Sequence, residues 1–264
     1  MQEVKPLFTV GRVSGVRNDS PNGRTYEWKG ETFQSVTSIL SKHLPKFGLL
    51  PWAVKLVAEE AVSGIRDSSL VYRVSNDPDE ALKYLKSIPD TKRDKAADLG
   101  SAIHEMLEVA DGSEYGADIP SNTPTEIVPF LQQFQAFLRE FRPVYIAQEC
   151  TVFNRELGYA GTLDAIIQDK NGRRLLIDYK TGNNVYPEVA LQLAAYRYAE
   201  FIGQDGGVEL PMIPVEGAAV LHLRPTKYKY TPVDAGPEVF DAFRKVVAVR
   251  SWFELEKTVL KVKA

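Results

Sequence analysis

Tyr159-Ala160-Gly161-Thr162-Leu163-Asp164-Ala165-Ile166-Ile167-Gln168 runs through Asp169-Lys170-Asn171-Gly172 into Arg173-Arg174-Leu175-Leu176-Ile177-Asp178-Tyr179-Lys180. The outer runs are rich in apolar and β-branched residues, and Lys170-Asn171-Gly172 between them is turn chemistry. The pattern predicts two strands, 159–168 and 173–179, joined as a hairpin. Side chains alternate along a strand, so Asp178 and Lys180 share one face while Tyr179 points away. Pairing of the two strands lets Asp164 approach Asp178. Two carboxylates in register near a sheet end make a hard oxygen site suited to Mg²⁺ or Mn²⁺. A lysine two residues on can orient or deprotonate a water, or stabilise charge growing on a phosphate. This is the equipment of metal-assisted phosphodiester hydrolysis. A bare Asp-x-Lys is ordinarily an exposed ion pair. The run Leu175-Leu176-Ile177 instead places Asp178 at the end of a buried strand.

Working outward, a further strand is expected from Val144 to Phe153. Before it, a helix ends at about residue 141, with Phe130, Leu131, Phe134, Phe137, Leu138 and Phe141 at helical spacing and Pro143 stopping it. A Gly-, Ser- and Pro-rich loop (111–124) separates that helix from another over about 96–108. On the C-terminal side a helix is expected from 187 to 202, then strands at 215–223 and 228–233. Pro237 opens a last helix with Phe240, Phe243, Val247 and Trp252 on or near its apolar side. The order from residue 95 is α-α-β-β-β-α-β-β-α, a mixed sheet flanked by helices in the α/β or α+β class. Residues 24–36 read as a small hairpin turning at Lys29-Gly30. Ser35 and Thr37 are both plausible caps for a helix ending near His43. A helix opening at Pro51 would line one face with Trp52, Leu56, Val57 and Ala61. Residues 64–92 read as a polar connector with weak helical stretches. The expected division is 1–95 as N-terminal accessory segments packing on a core of 96–264.

Composition bounds the function. The chain has 264 residues, 44% hydrophobic and 25% charged, which argues against disorder, collagen and coiled coil. With 32 basic and 35 acidic side chains the net charge is 32 − 35 = −3, which does not suggest nucleic-acid binding but leaves room for a local basic groove. Cys150 stands alone, so an intramolecular disulfide, a four-cysteine zinc site and an iron–sulfur cluster held by four of its own cysteines are excluded. No apolar run reaches the length of a membrane span, and the first fifteen residues lack a signal core. A soluble cytoplasmic protein is the expectation. The sequence lacks GxxxxGK[ST], GxGxxG and GxSxG. His104-Glu105-Met106-Leu107-Glu108 lacks the second histidine of a zinc-protease helix. Glu108, one turn beyond His104, would either face the same site or lie solvated. Lys227-Tyr228-Lys229-Tyr230 puts two lysines on one face and two tyrosines on the other, either half core and half solvent or a backbone-tracking strand with base-stacking aromatics.

Asp164-x13-Asp178-x-Lys180 between helices resembles the PD-(D/E)XK nuclease superfamily. Gln192-Leu193-Ala194-Ala195-Tyr196 resembles the Q-x-x-x-Y motif of its RecB-type branch, and Gly100-Ser101-Ala102-Ile103-His104 its G-x-x-x-H motif. Ser35-Val36-Thr37-Ser38-Ile39-Leu40, with Leu49-Leu50-Pro51-Trp52-Ala53, is similar to a region of mitochondrial genome maintenance exonuclease and many phage exonucleases. The resemblance covers about 25–225 and implies a restriction-endonuclease-like core with N-terminal helical additions. It implies His104, Asp164, Asp178 and the Tyr179 backbone carbonyl as ligands of Mg²⁺ or Mn²⁺, without the iron–sulfur cluster of some relatives. Lys180 would serve the attacking water, and Gln192 and Tyr196 would brace the site or touch the nucleic-acid backbone. Glu149 would be a supporting or second-metal residue. The implied activity is a DNA exonuclease acting on single-stranded DNA or single-stranded ends. The setting would be replication or recombination in a bacterial or phage-infected cell, alongside partner proteins of those processes. The helical segments of about 25–95 would wall the passage of a threaded strand. The alternatives are a structure-specific endonuclease and a catalytically silent DNA-end-binding module.

Overall fold

The computed structural model describes residues 16–20, 23–110 and 119–259. Among these, ten strands form one sheet: β1 (Arg17–Asn18), β2 (Thr25–Trp28), β3 (Glu31–Ser35), β4 (Val144–Asn154), β5 (Tyr159–Gln168), β6 (Arg174–Lys180), β7 (Phe201–Gln204), β8 (Val208–Pro211), β9 (Gly217–Arg224) and β10 (Lys227–Val233). The helices are α1 (Val36–His43), α2 (Leu49–Arg66), α3 (Ser69–Asn76), α4 (Pro78–Ala110), α5 (Val128–Phe141), α6 (Glu188–Arg197) and α7 (Pro237–Val259). The chain divides into two compact units, one of residues 45–102 and one of residues 1–44 with 103–264; the boundary falls inside α4.

In the larger unit β5 is central. It pairs antiparallel with β4 and β6 and parallel with β3, so nearly every residue is covered and the strand reads as a continuous apolar run. β6 then pairs parallel with β9, and β9 antiparallel with the edge strand β10. α6 and α5 lie on opposite faces of this sheet, because Gln192 of α6 bonds Asp178 while Phe134 of α5 meets the ring of Tyr179, the next residue along the strand. The main core holds Val36 and Ile39 of α1, Leu193 and Ala194 of α6 and Phe243 and Val247 of α7 against Val152, Leu163 and Leu176 of the sheet.

The N-terminal hairpin forms with Lys29 (φ 49°) and Gly30 (φ 82°) as its two-residue turn. Its second strand pairs with β5, Gln34 opposite Tyr159 and Ser35 opposite Ala160, so it belongs to the core sheet. The described residues from Val16 to Leu44 accordingly cluster with the core, and the separate unit runs from Pro45 to Ala102. At the start of α1 neither hydroxyl caps the helix; Ser35 Oγ and Thr37 Oγ1 bond each other at 2.8 Å instead.

Four expectations change. Residues 64–92 are almost entirely helical. Asp77 Oδ1 accepts the backbone N–H groups of Asp79 (3.1 Å) and Glu80 (3.0 Å), with Pro78 at the first helical position, and α4 then continues through Pro89. In this smaller unit Arg73 pairs with Glu80 at 3.0 Å and lies 4.3 Å from the Tyr84 ring centroid, while Trp52, expected to pack, is exposed. The helix expected over 187–202 ends at Arg197, and Phe201–Gln204 and Val208–Pro211 form a hairpin on the edge of β4. Gly203 permits this: a Cβ there would stand 2.8 Å from Phe153 and 3.0 Å from Trp28. Trp252 of α7 is likewise exposed, not on a packed side.

Candidate active site

The site lies where β6 parts from β5. Backbone pairing between them stops at Ala165 opposite Ile177. Two residues beyond Ile177, the Tyr179 N–H turns from the ladder and donates to Asp164 Oδ2 at 2.6 Å. β6 keeps its other neighbour: Asp178 stands opposite Val220, Tyr179 opposite Leu221 and Lys180 opposite His222. The hairpin read from sequence therefore carries both aspartates to the place where the sheet opens.

α6 is fastened to the start of β5. The Tyr159 O–H donates to the Ala195 carbonyl at 2.7 Å, and the Tyr196 ring sits over Gly161, where a Cβ would come within 2.4 Å of Cε1. Tyr196 is 3% exposed, so it braces this junction and has no surface to offer a DNA strand. One turn earlier, Gln192 Nε2 reaches Asp178 Oδ1 at 2.8 Å. The Lys180 ammonium donates to the same oxygen at 2.9 Å and lies 2.7 Å from Oδ2. Asp178, itself 3% exposed, is thus bound by one lysine and one glutamine.

A second set of donors converges next to this pair. His104 Nδ1 lies 3.7 Å from Asp164 Oδ1, and ligating atoms of His104, Glu149 and Asp164 all fall within 4.8 Å of one another. Glu149 faces Asp164 across the β4–β5 ladder, bracketed by Gln148 opposite Ala165 and Cys150 opposite Leu163. Its backbone is left-handed (φ 46°) in mid-strand, a conformation that costs a residue with a Cβ about 1–2 kcal/mol. Among the described residues this trio is the cluster of His, Asp and Glu side chains with metal-holding geometry; Asp178 is not in it, and the Glu108 side chain lies outside the described residues. The sequence suggests Glu149 only as a supporting or second-metal position, and only through the family resemblance, because nothing local signals a left-handed residue within an apolar strand.

Electrostatics fit a cation. Burial, and then the nearby Asp178 carboxylate, push Asp164 up to about 7, although Lys180 and the Tyr179 amide pull the other way. Burial also lowers the His104 imidazole below its usual range against the pull of Asp178 and Glu149, leaving a neutral ring able to ligate. Burial works against charge on Lys180, but Asp178 and Asp164 outweigh it and hold the ammonium above its usual range. One imidazole nitrogen and two carboxylates form a donor set suited to a divalent cation, whose charge would offset what raises Asp164. Cys150, buried and pushed up to about 12 by desolvation, takes no part.

A mixed sheet between helices, with Asp-x-Lys at the end of a central strand and a neighbouring His–Glu–Asp trio, is an arrangement suited to metal-assisted hydrolysis of phosphodiesters. The family model of the PD-(D/E)XK nuclease superfamily matches residues 81–250, and the chain belongs to that superfamily. Its core is restriction-endonuclease-like, and the superfamily is one of nucleases that use divalent metals. No curated protein matches the chain. Among solved structures, the crystal structure of SSO0001 is similar at 15% identity and a TM-score of 0.29, over 50% of this chain and 62% of that one; so low a score adds nothing to the fold assignment. Among the described residues no helix is long and apolar enough to cross a membrane.

Proposed function

We propose that the protein is an Mg²⁺- or Mn²⁺-dependent DNA exonuclease that favours single-stranded DNA or single-stranded ends. The observation carrying the hydrolytic reading is the Lys180–Asp178–Gln192 linkage beside the His104–Glu149–Asp164 trio. Exonucleolytic action and strand preference are supported by the sequence resemblance to RecB-type and phage exonucleases, as is a role in replication or recombination in a bacterial or phage-infected cytoplasm.

His104, Glu149 and Asp164 would hold the cation, with Asp178 near enough to act on the same charge. When bound, the cation supplies Lewis acidity to the phosphate and lowers the cost of ionising a water. Lys180, whose ammonium its carboxylate neighbours hold above its usual range, donates hydrogen bonds to the attacking water or a phosphate oxygen. Gln192 fixes the Asp178 carboxylate so that the ammonium stays in place. Attack forms a bond from water oxygen to phosphorus and breaks the P–O3′ bond, leaving a 5′-phosphate and a 3′-hydroxyl. A water proton is released to solvent, and the 3′-oxygen acquires one.

End-labelled linear and circular single-stranded DNA, incubated with Mg²⁺, Mn²⁺ or EDTA, test this reading. Metal-dependent loss of the linear strand, sparing of the circle and silence of Asp178→Ala are expected. Cleavage of the circle would make the protein an endonuclease; tight binding without cleavage in any metal would make it a DNA-end-binding module.

A further inference from the structure

We propose that Lys227 and Lys229, on the edge strand β10, form a track for the sugar–phosphate backbone of the DNA strand, beyond the phosphate addressed by Lys180. This deepens, and rests on, the nuclease reading above. The register carries it: Lys180 stands opposite His222 on β9, and His222 opposite Lys229 on β10. Side chains in register on neighbouring strands project from the same face of a sheet, so Lys180, His222 and Lys229 form one lateral row. Arg224 and Lys227, also opposite each other, form the next row on that face. With strands about 4.8 Å apart, Lys229 lies about 10 Å across the sheet from Lys180.

The opposite face of β10 is already occupied. The Tyr228 hydroxyl bonds Glu140 of α5, and the Tyr230 ring packs on Phe137 and Phe141 at 6.0 and 4.9 Å between centroids. Those two rings are engaged by α5, and the lysines are the side chains that the strand holds out to solvent. Both lysines are exposed, and neither has an ion-pair or hydrogen-bond partner among the described residues. The basic side chains nearer the site are committed. Lys180 holds Asp178, His222 Nε2 bonds the Gly182 carbonyl at 2.7 Å, and Arg224 bonds the Thr181 carbonyl at 2.9 Å and Asn183 Oδ1 at 2.8 Å. These last bonds tie down the loop that follows Lys180 and leave Lys227 and Lys229 as the uncommitted charges of the two rows. Two such ammonium groups suit successive phosphates and no particular base. A chain of net charge −3 needs a local cationic strip of this kind to engage DNA.

Fluorescein-labelled oligothymidylate provides the test, by anisotropy in EDTA across a salt series and by cleavage kinetics with Mg²⁺. In Lys227→Gln/Lys229→Gln we expect affinity to fall on the order of tenfold and the slope of log K against log salt to shrink by about 1.4, at about 0.7 per phosphate contact on a single strand. The kinetic change should fall on KM more than on kcat, Tm should hold, and Lys227→Arg/Lys229→Arg should restore binding. Lys170→Gln/Arg174→Gln, the same charge loss at the opposite end of β6, is the control. A double variant that matches wild type in slope and KM overturns the track and leaves the lysines as edge protection against strand pairing. An equal loss in the control overturns it too, by making the effect one of net charge. If wild type neither binds nor cuts DNA, the nuclease reading itself has failed.

Discussion

Gly161 and Glu149 show how single residues set this site. On Gly161 any side chain meets the Tyr196 ring, so Gly161→Ala should destabilise the protein by about 1–3 kcal/mol, the cost of overpacking. Adding Tyr196→Ala should cost less than the sum of the two single changes, read by denaturant unfolding; strict additivity would show that the ring contact does not matter. At Glu149 the left-handed backbone favours glycine, so Glu149→Gly should be more stable than Glu149→Ala by about 1 kcal/mol. Both should weaken Mn²⁺ binding, since both remove a carboxylate from the trio. Equal stability of the two would mean that the backbone is unstrained there. Lys180→Ala should lower kcat by roughly 10²–10³-fold, the usual loss when a donor to developing charge is removed. Full activity in that variant would exclude the role given to the ammonium.

At the scale of elements, β8 is tied to β2 and to the β4–β5 turn through one carboxylate. Glu209 accepts from Trp28 Nε1 at 2.9 Å and Arg155 at 2.6 Å and pairs with Lys29 at 2.9 Å, and these bonds hold it down to about 2. A lowered carboxyl contributes stability that is present above its unfolded value, 4.5, and lost as pH falls toward 2. Glu209→Gln should therefore lower Tm at pH 7, by a gap that closes between about pH 4.5 and pH 2; a gap independent of pH would refute the linkage. The same element shows the limits of local reading. Phe201–Gln204 follows directly on a helix and carries no alternation long enough to mark a strand. It becomes one because the edge of β4 offers unpaired backbone, Val152 opposite Ile202. α4 was obscured for the reverse reason: Pro89 reads as a helix breaker, yet the Asp77-Pro78 start and the length of the helix carry the turn through it.

Across the whole molecule, the prediction concerns the cation. Without DNA, Mn²⁺ at 100 times its Kd should stabilise the fold by about 2.7 kcal/mol through mass action, read as a rise in Tm that EDTA reverses. Asp164→Asn should abolish the rise; an undiminished rise would place the ion elsewhere. What the sequence determined by itself is the chemistry-bearing hairpin, Tyr159 to Lys180, and the helix carrying Gln192 and Tyr196, because strand alternation, a Gly turn and helical spacing are all local signals. His104 was legible only as part of a motif. Tertiary structure alone decided which groups each carboxylate meets. Asp178 turns to Lys180 and Gln192, while Glu149 joins His104 and Asp164, because cross-strand register and the parting of β6 from β5 set those distances. It also decided that β3 joins β5, with Gln34 beside Tyr159. Pairings between residues so far apart depend on how the whole chain closes its core, which no local period encodes.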